Sequence, residues 1–335
     1  MRLTPDMARR PRRILPGRLY EMTQKTFQDR YLLLPDKQLN RLLVGVLARA
    51  QQHYGMKFCY VTLLSNHLHG LVVADSAEQV ARLLCFIKTN MAKEVGKRFG
   101  WTDTVFGSNR MDITEVADDP QIQLERVRYF MEQGVKEGLV PHPTKWPGVE
   151  SATAWCSGRM LLRGTWINRS ELYELERNGR RKVSARRQWM SRRDLLRCTE
   201  RVELKLTPPP ALSHFDSREL ARCARRICRD IVKENQELIA RIRPGWRQRL
   251  TAHDMFAYRP ESSKRGAAPR YHAATQDEWV AWVREYDDWW SLYEKASRRL
   301  RAGIAAALHE FPVGGFVPVG LWSYGSEGLP PPRSV

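Results

Sequence analysis

His67 and His69 are separated by a single leucine inside Tyr60–Ala74 (YVTLLSNHLHGLVVA), a run that reads as two apolar strands joined at Ser65-Asn66. Alternate residues of a strand project from the same face, so both imidazoles point one way while Leu68 points into the core. Two imidazoles so placed supply two ligands for a divalent metal. Further on, Tyr129 lies on an amphipathic segment with Gln133 four residues after it. Positions i and i+4 share a helix face, so the phenol and the amide look into the same space. Such a set could perform metal-assisted attack by a tyrosine on a DNA phosphodiester. Each part also has an ordinary alternative: strand histidine pairs are often core or hydrogen-bonded residues, and a tyrosine on an amphipathic helix is often a half-buried packing residue.

The elements that would have to position these residues follow from hydrophobic period. Arg18–Phe27 alternates as a first strand, and Asp36–Tyr54 carries Leu39, Leu42, Leu43, Val46, Leu47 and Ala50 at helical spacing. Lys57–Leu64 and His67–Val73 are the two apolar strands. Ser76–Phe99 is a second helix with Ser76 as its N-cap, Met111–Val116 a fourth strand, and Asp118–Glu137 a third helix. The order β-α-β, β-α-β, helix predicts an α+β fold: a ferredoxin-like antiparallel sheet with helices on one face.

Formal net charge is +19 over 335 residues, and 42% of the residues are hydrophobic, enough for a sizeable core. A charge of that size favours a polyanion, most simply nucleic acid, over a neutral partner. Six cysteines are scattered without a C-x-x-C pair, which excludes a disulfide framework or zinc finger as the organising device. No stretch reaches membrane-spanning length and no apolar signal core follows the basic N-terminus, so a cytoplasmic protein with no membrane partner is expected.

Ser65–Val73 (SNHLHGLVV) resembles the signature of the HUH-type single-tyrosine transposases of small insertion sequences, nearest to their REP-associated branch. The resemblance spans roughly residues 14–151, takes in Val127–Val140 (VRYFMEQGVKEGLV) and the closing Trp146-Pro147 with Ser151, and stops near residue 155. It implies that His67, His69 and Gln133 bind the metal, Mg²⁺ or Mn²⁺, and that Tyr129 is the nucleophile. It implies an enzyme that cuts and rejoins single-stranded or hairpin DNA through a 5′-phosphotyrosine link. One departure is visible: many REP-associated members carry Asn-Pro where this chain has Gln133-Gly134. The family contains dimers that exchange the tyrosine helix as well as monomers, so a homodimer is among the assemblies implied.

The expected organisation is a disordered basic arm over 1–13, a catalytic domain over 14–150, a basic and mainly helical region over 151–311 and an irregular tail over 312–335. Residues 1–150 carry 22 basic against 16 acidic side chains, and the remainder 34 against 21, concentrated in Arg177–Arg193. That cluster reads either as a solvated linker or as a nucleic-acid contact through Arg180, Arg181, Lys182, Arg186 and Arg187, with Trp189 stacking on a base. Trp279, Trp282, Tyr286, Trp289 and Trp290 recur at helical spacing and read better as core than as a base-stacking platform. Two neighbouring functions compete with the transposase: a domesticated DNA-hairpin binder without strand transfer, and an HUH nickase of the replication or relaxase type. A histidine-triad hydrolase is disfavoured because its third alternating histidine is replaced by Leu71.

Overall fold

The computed structural model describes residues 11–107, 111–182, 192–251 and 270–317. β1 (Arg18–Lys25) leads to α1 (Lys37–Tyr54), and β2 (Lys57–Leu64) turns into β3 (His67–Ala74). α2 (Ala77–Phe99), β4 (Asp112–Val116) and α3 (Pro120–Lys136) complete the first half. Each helix begins where a short polar side chain takes up free backbone N–H groups: Asp36 accepts from Gln38 and Leu39, Ser76 from Gln79, and Asp119 from Ile122. α1 and α2 each stop at a glycine in the left-handed region, Gly55 at φ 66° and Gly100 at φ 70°.

β1 is central. It pairs antiparallel with β3 on one side and β4 on the other, and β2 pairs antiparallel with β3. The resulting order β2-β3-β1-β4 is the ferredoxin-like arrangement, so the fold is α+β. α1 and α2 pack together over one face of this sheet. α3 lies on the other face, the one that carries the two histidines, where its Tyr129 and Phe130 rings meet His69. The β2–β3 turn is fixed from outside, because Leu33 N–H donates to Ser65 O at 2.8 Å and Thr26 N–H to Asn66 O at 2.9 Å.

Beyond residue 150 the described residues are mainly helical, with α4 (Ala152–Ser157), β5 (Leu161–Ile167), α5 (Arg169–Lys182), α6 (Arg192–Arg197), β6 (Thr199–Lys205), α7 (Ser217–Glu234), α8 (Gln236–Ala240), α9 (Trp246–Thr251), β7 (Tyr271–His272) and α10 (Gln276–Arg301). Two strand features go beyond the sequence reading. β5 and β6 form a two-stranded antiparallel sheet laid on α1, and β7 adds a short parallel strand to β4. The first depends on close backbone approach: a Cβ on Gly45 of α1 would lie 1.9 Å from the Thr165 carbonyl oxygen.

The main hydrophobic cluster runs without a break through β1–β4 and α1–α3 into Trp155, Val202, Leu204, Leu220, Ile227 and Ile231. The edge of β2 is covered by residues 146–155 rather than left open. Leu63 N–H donates to Val149 O at 2.9 Å, Ser151 N–H to Val61 O at 3.0 Å, and the Trp155 indole to Cys59 O at 3.0 Å.

Of the basic arm expected over 1–13, residues 11–13 are packed in place. Arg13 is buried between Glu115 (3.7 Å) and Glu285 (2.9 Å), and Pro11 O accepts from the Tyr286 hydroxyl at 2.6 Å. Tyr271 of β7 and the aromatic residues of α10 form a ladder, Tyr271–Trp282–Tyr286–Trp289–Tyr293, with ring centroids 5.1–5.5 Å apart. Trp282, Tyr286 and Trp289 are buried, which is core packing and leaves those rings no open face for a base.

Candidate functional site

β3 and α3 bring the sequence-picked residues together. The His67 and His69 rings lie edge to face with centroids 4.6 Å apart. The Tyr129 ring stands 6.2 Å from His69 at 80°, and Phe130 packs on the other side of His69 at 5.1 Å. All belong to one chain. Gln133, one turn after Tyr129, is buried and donates its amide N–H to Tyr129 O at 3.1 Å, which leaves its Oε1 as the atom for another partner.

Each imidazole is held by its Nδ1. His67 Nδ1 lies 2.7 Å from Asn66 Oδ1, and His69 Nδ1 lies 2.9 Å from Thr23 Oγ1. An amide oxygen only accepts, so His67 carries its proton on Nδ1 and presents the Nε2 lone pair; the Thr23 hydroxyl allows the same tautomer at His69. Fixing the ring through one nitrogen so that the other is free is how metal-binding histidines are oriented. Burial pushes the His67 pKa down to about 4, with Lys25 adding to the effect, and burial with the neighbouring His67 holds His69 well below the usual range. Both rings are therefore neutral at pH 7, the state a ligand requires.

Cationic side chains surround the tyrosine. Lys136 Nζ lies 4.1 Å from the Tyr129 ring centroid and the Arg126 guanidinium 5.2 Å from it. Arg126 is in turn 3.8 Å from Glu21 of β1, whose carboxylate lies 3.0 Å from His272 Nε2 on β7. The site thus offers two imidazole nitrogens, an amide oxygen, a phenol and positive charge, a set that suits a phosphodiester held against a cation. Among the described residues no group of three His, Cys, Asp or Glu could hold a metal.

Sequence reasoning missed Thr23 and Lys136. Thr23 becomes a partner only through the register that sets it opposite His69, which no local pattern reveals. Lys136 was legible, since seven residues after Tyr129 it returns to the same helix face. Arg128 makes an ion pair with Glu234 of α7 and so joins α3 to the second half.

Part of the arginine cluster expected to contact nucleic acid lies among the described residues. Arg180, Arg181 and Lys182 end α5, a helix that starts from the Arg169–Glu94 pair with α2 and packs on Leu42 of α1, on the helical side of the sheet. Arg186, Arg187 and Trp189 lie outside the described residues.

No family model matches the chain, and no curated protein matches it. Among solved structures, a REP-associated tyrosine transposase bound to a REP hairpin is similar at 16% identity and a TM-score of 0.36, covering 44% of this chain and 83% of that one. A candidate transposase from Deinococcus radiodurans is similar at 13% identity and a TM-score of 0.27, covering 34% and 89%. None of the described helices is long and apolar enough to cross a membrane.

Proposed function

We propose that this chain is an HUH-type tyrosine transposase that cleaves and rejoins single-stranded or hairpin DNA. The observation that carries the reading is the Tyr129 ring set 6.2 Å from a histidine whose Nδ1 is tied back, with the second histidine beside it. His67 Nε2, His69 Nε2 and Gln133 Oε1 would hold a divalent cation, Mg²⁺ or Mn²⁺, whose contribution is to polarise the scissile phosphate.

The rest is done by the chain's own residues. Tyr129 Oη attacks phosphorus in line, the P–O3′ bond breaks, and the 3′-oxygen leaves as a hydroxyl after taking up a proton. The 5′ side of the DNA stays on Tyr129 as a phosphotyrosine. Attack on that link by another 3′-hydroxyl restores a phosphodiester and frees the phenol, so rejoining needs no nucleotide cofactor. Lys136 and Arg126 bring positive charge to the ring that must become a phenolate and to the phosphate it attacks. Thr23 and Asn66 keep the imidazoles in the tautomer that presents Nε2.

Covalent capture tests this. The protein is incubated with labelled hairpin-bearing single-stranded DNA and Mn²⁺ and run on a denaturing gel beside Tyr129→Phe and His67→Ala. The expected result is a denaturation-resistant adduct that disappears in both variants and with chelator. Tight hairpin binding without any adduct would place the chain among hairpin binders that lack strand transfer. Cleavage with no rejoining to an added 3′-hydroxyl strand would favour a nickase.

A further inference from the structure

α7 carries arginines that the proposed chemistry does not use. Arg222, Arg225, Arg226 and Arg229 wall one side of an open cavity of about 640 Å³, with His142 and Thr144 on the other. All four arginines are exposed, while Leu220, Ala224, Ile227 and Ile231 on the opposite side of the helix are buried and hold it in place. Their own partners are few. Arg225 donates to Cys156 O at 2.8 Å, and Arg222 reaches Glu219 only at 4.0 Å. Arg226 and Arg229 have no ion pair among the described residues. Like charges one turn apart destabilise a helix, so an arrangement of this kind is relieved by an external polyanion.

Position and spacing identify the polyanion. α7 lies beside α3: Glu234 pairs with Arg128, the residue before Tyr129, and Asn235 donates to Glu132 at 3.2 Å. The arginine row therefore starts about one turn from the helix that bears the tyrosine and leads away from it. From Arg222 to Arg229 the helix rises about 10 Å, the advance of roughly three nucleotides along one strand of a duplex. No Phe, Tyr or Trp lines the cavity, so it lacks the row of large rings that a base-stacking platform uses. Guanidinium groups in a row match phosphate oxygens and read no sequence.

We infer that the α7 face is a second DNA-contact site, which grips the phosphate backbone of the duplex stem adjoining the strand handled by Tyr129. This rests on the DNA-processing function proposed above but assigns the stem contact to Arg222, Arg226 and Arg229.

The test is the salt dependence of binding by the full-length protein, read by fluorescence anisotropy with hairpin DNAs of two unrelated stem sequences. Wild type is compared with a triple variant, Arg222→Ala, Arg226→Ala and Arg229→Ala, and with the same three positions changed to Lys. Arg225 is kept because it holds the Cys156 carbonyl. In the alanine variant the slope of log affinity against log salt should become shallower by about 0.9 for each phosphate that is no longer neutralised, equally for both stems. The lysine variant should keep the slope. An unchanged slope in the alanine variant overturns the inference, as does a lysine variant whose slope falls as far as that of the alanine one. Wild-type protein that binds neither hairpin would instead remove the functional reading itself.

Discussion

α3 and α10 both set aromatic rings at helical spacing and both lay cations over them, yet their polar atoms have different fates. On α10 the Trp282 indole donates to Glu115, the Tyr286 hydroxyl to Pro11 O, the Trp289 indole to Val313 O and the Tyr293 hydroxyl to Phe316 O. The guanidiniums of Arg13 and Arg270 close the ladder further. On α3 the Tyr129 hydroxyl makes no hydrogen bond among the described residues, although Lys136 and Arg126 flank its ring. The difference teaches that spacing alone does not separate an aromatic whose polar atom is spent on packing from one whose polar atom is left available. What separates them is whether the polar atom is already engaged.

The largest effect that could break this comparison is all or none. Tyr129 faces His69 of its own chain, so an equal mixture of His67→Ala and Tyr129→Phe proteins should form no covalent DNA adduct. Recovery of adduct in the mixture would mean that the working site is built between two chains.

Next in size is stability. Trp282→Ala removes a buried ring and should cost ~3–5 kcal/mol, whereas Tyr129→Phe removes an unengaged hydroxyl and should change stability by less than ~0.5 kcal/mol. Urea unfolding of the two variants decides it. A Tyr129→Phe protein as weakened as the tryptophan variant would show that its hydroxyl is structural.

The smallest effect concerns a half-buried carboxyl group outside both helices. Glu150 accepts hydrogen bonds from the Tyr60 hydroxyl and from Ala152 N–H at 3.0 Å, and burial pushes its pKa up to about 7. Between the ordinary carboxylate range and about 7 the folded chain holds this proton more tightly than the unfolded one. Stability therefore falls as pH rises through that window, and the loss is complete above it. Glu150→Gln should flatten that fall and exceed wild type by ~1–3 kcal/mol at about pH 8, with a much smaller gain at about pH 5. Identical pH profiles for the two proteins would disprove the assignment.

Most of the first half was legible because each element announces its ends. Asp36, Ser76 and Asp119 stand where the helices begin, and two continuously apolar strands flank the polar Ser65-Asn66 turn. The histidine pair and Tyr129 were legible for the same reason, since period two and period 3.6 fix which side chains share a face. The β5–β6 pair was missed because its strands are separated by α5, α6 and the arginine-rich segment, although Val202, Leu204 and Leu206 do alternate. Contacts between distant positions carried no local signal at all. Thr23 with His69, and Cys156 with Cys228 at 3.6 Å, depend on tertiary register. The basic residues show the limit most clearly: the densest run in the sequence lies mostly outside the described residues, while the row beside the tyrosine helix is spread over eight positions of α7 and forms no run at all.

The N-terminal segment is closed by residues from the far end of the chain, with Ile14 N–H bonded to Gly314 O at 2.9 Å and Pro11 held by Tyr286. On a ribosome these partners emerge roughly 300 residues later, about 15–60 s at usual elongation rates of 5–20 residues per second. For most of that interval Arg13 waits without Glu285, and for about half of it the outer edge of β4 waits without β7. The nascent chain therefore carries an unsatisfied strand edge until β7 has emerged, and chaperone capture of stalled chains should be strongest just before that point.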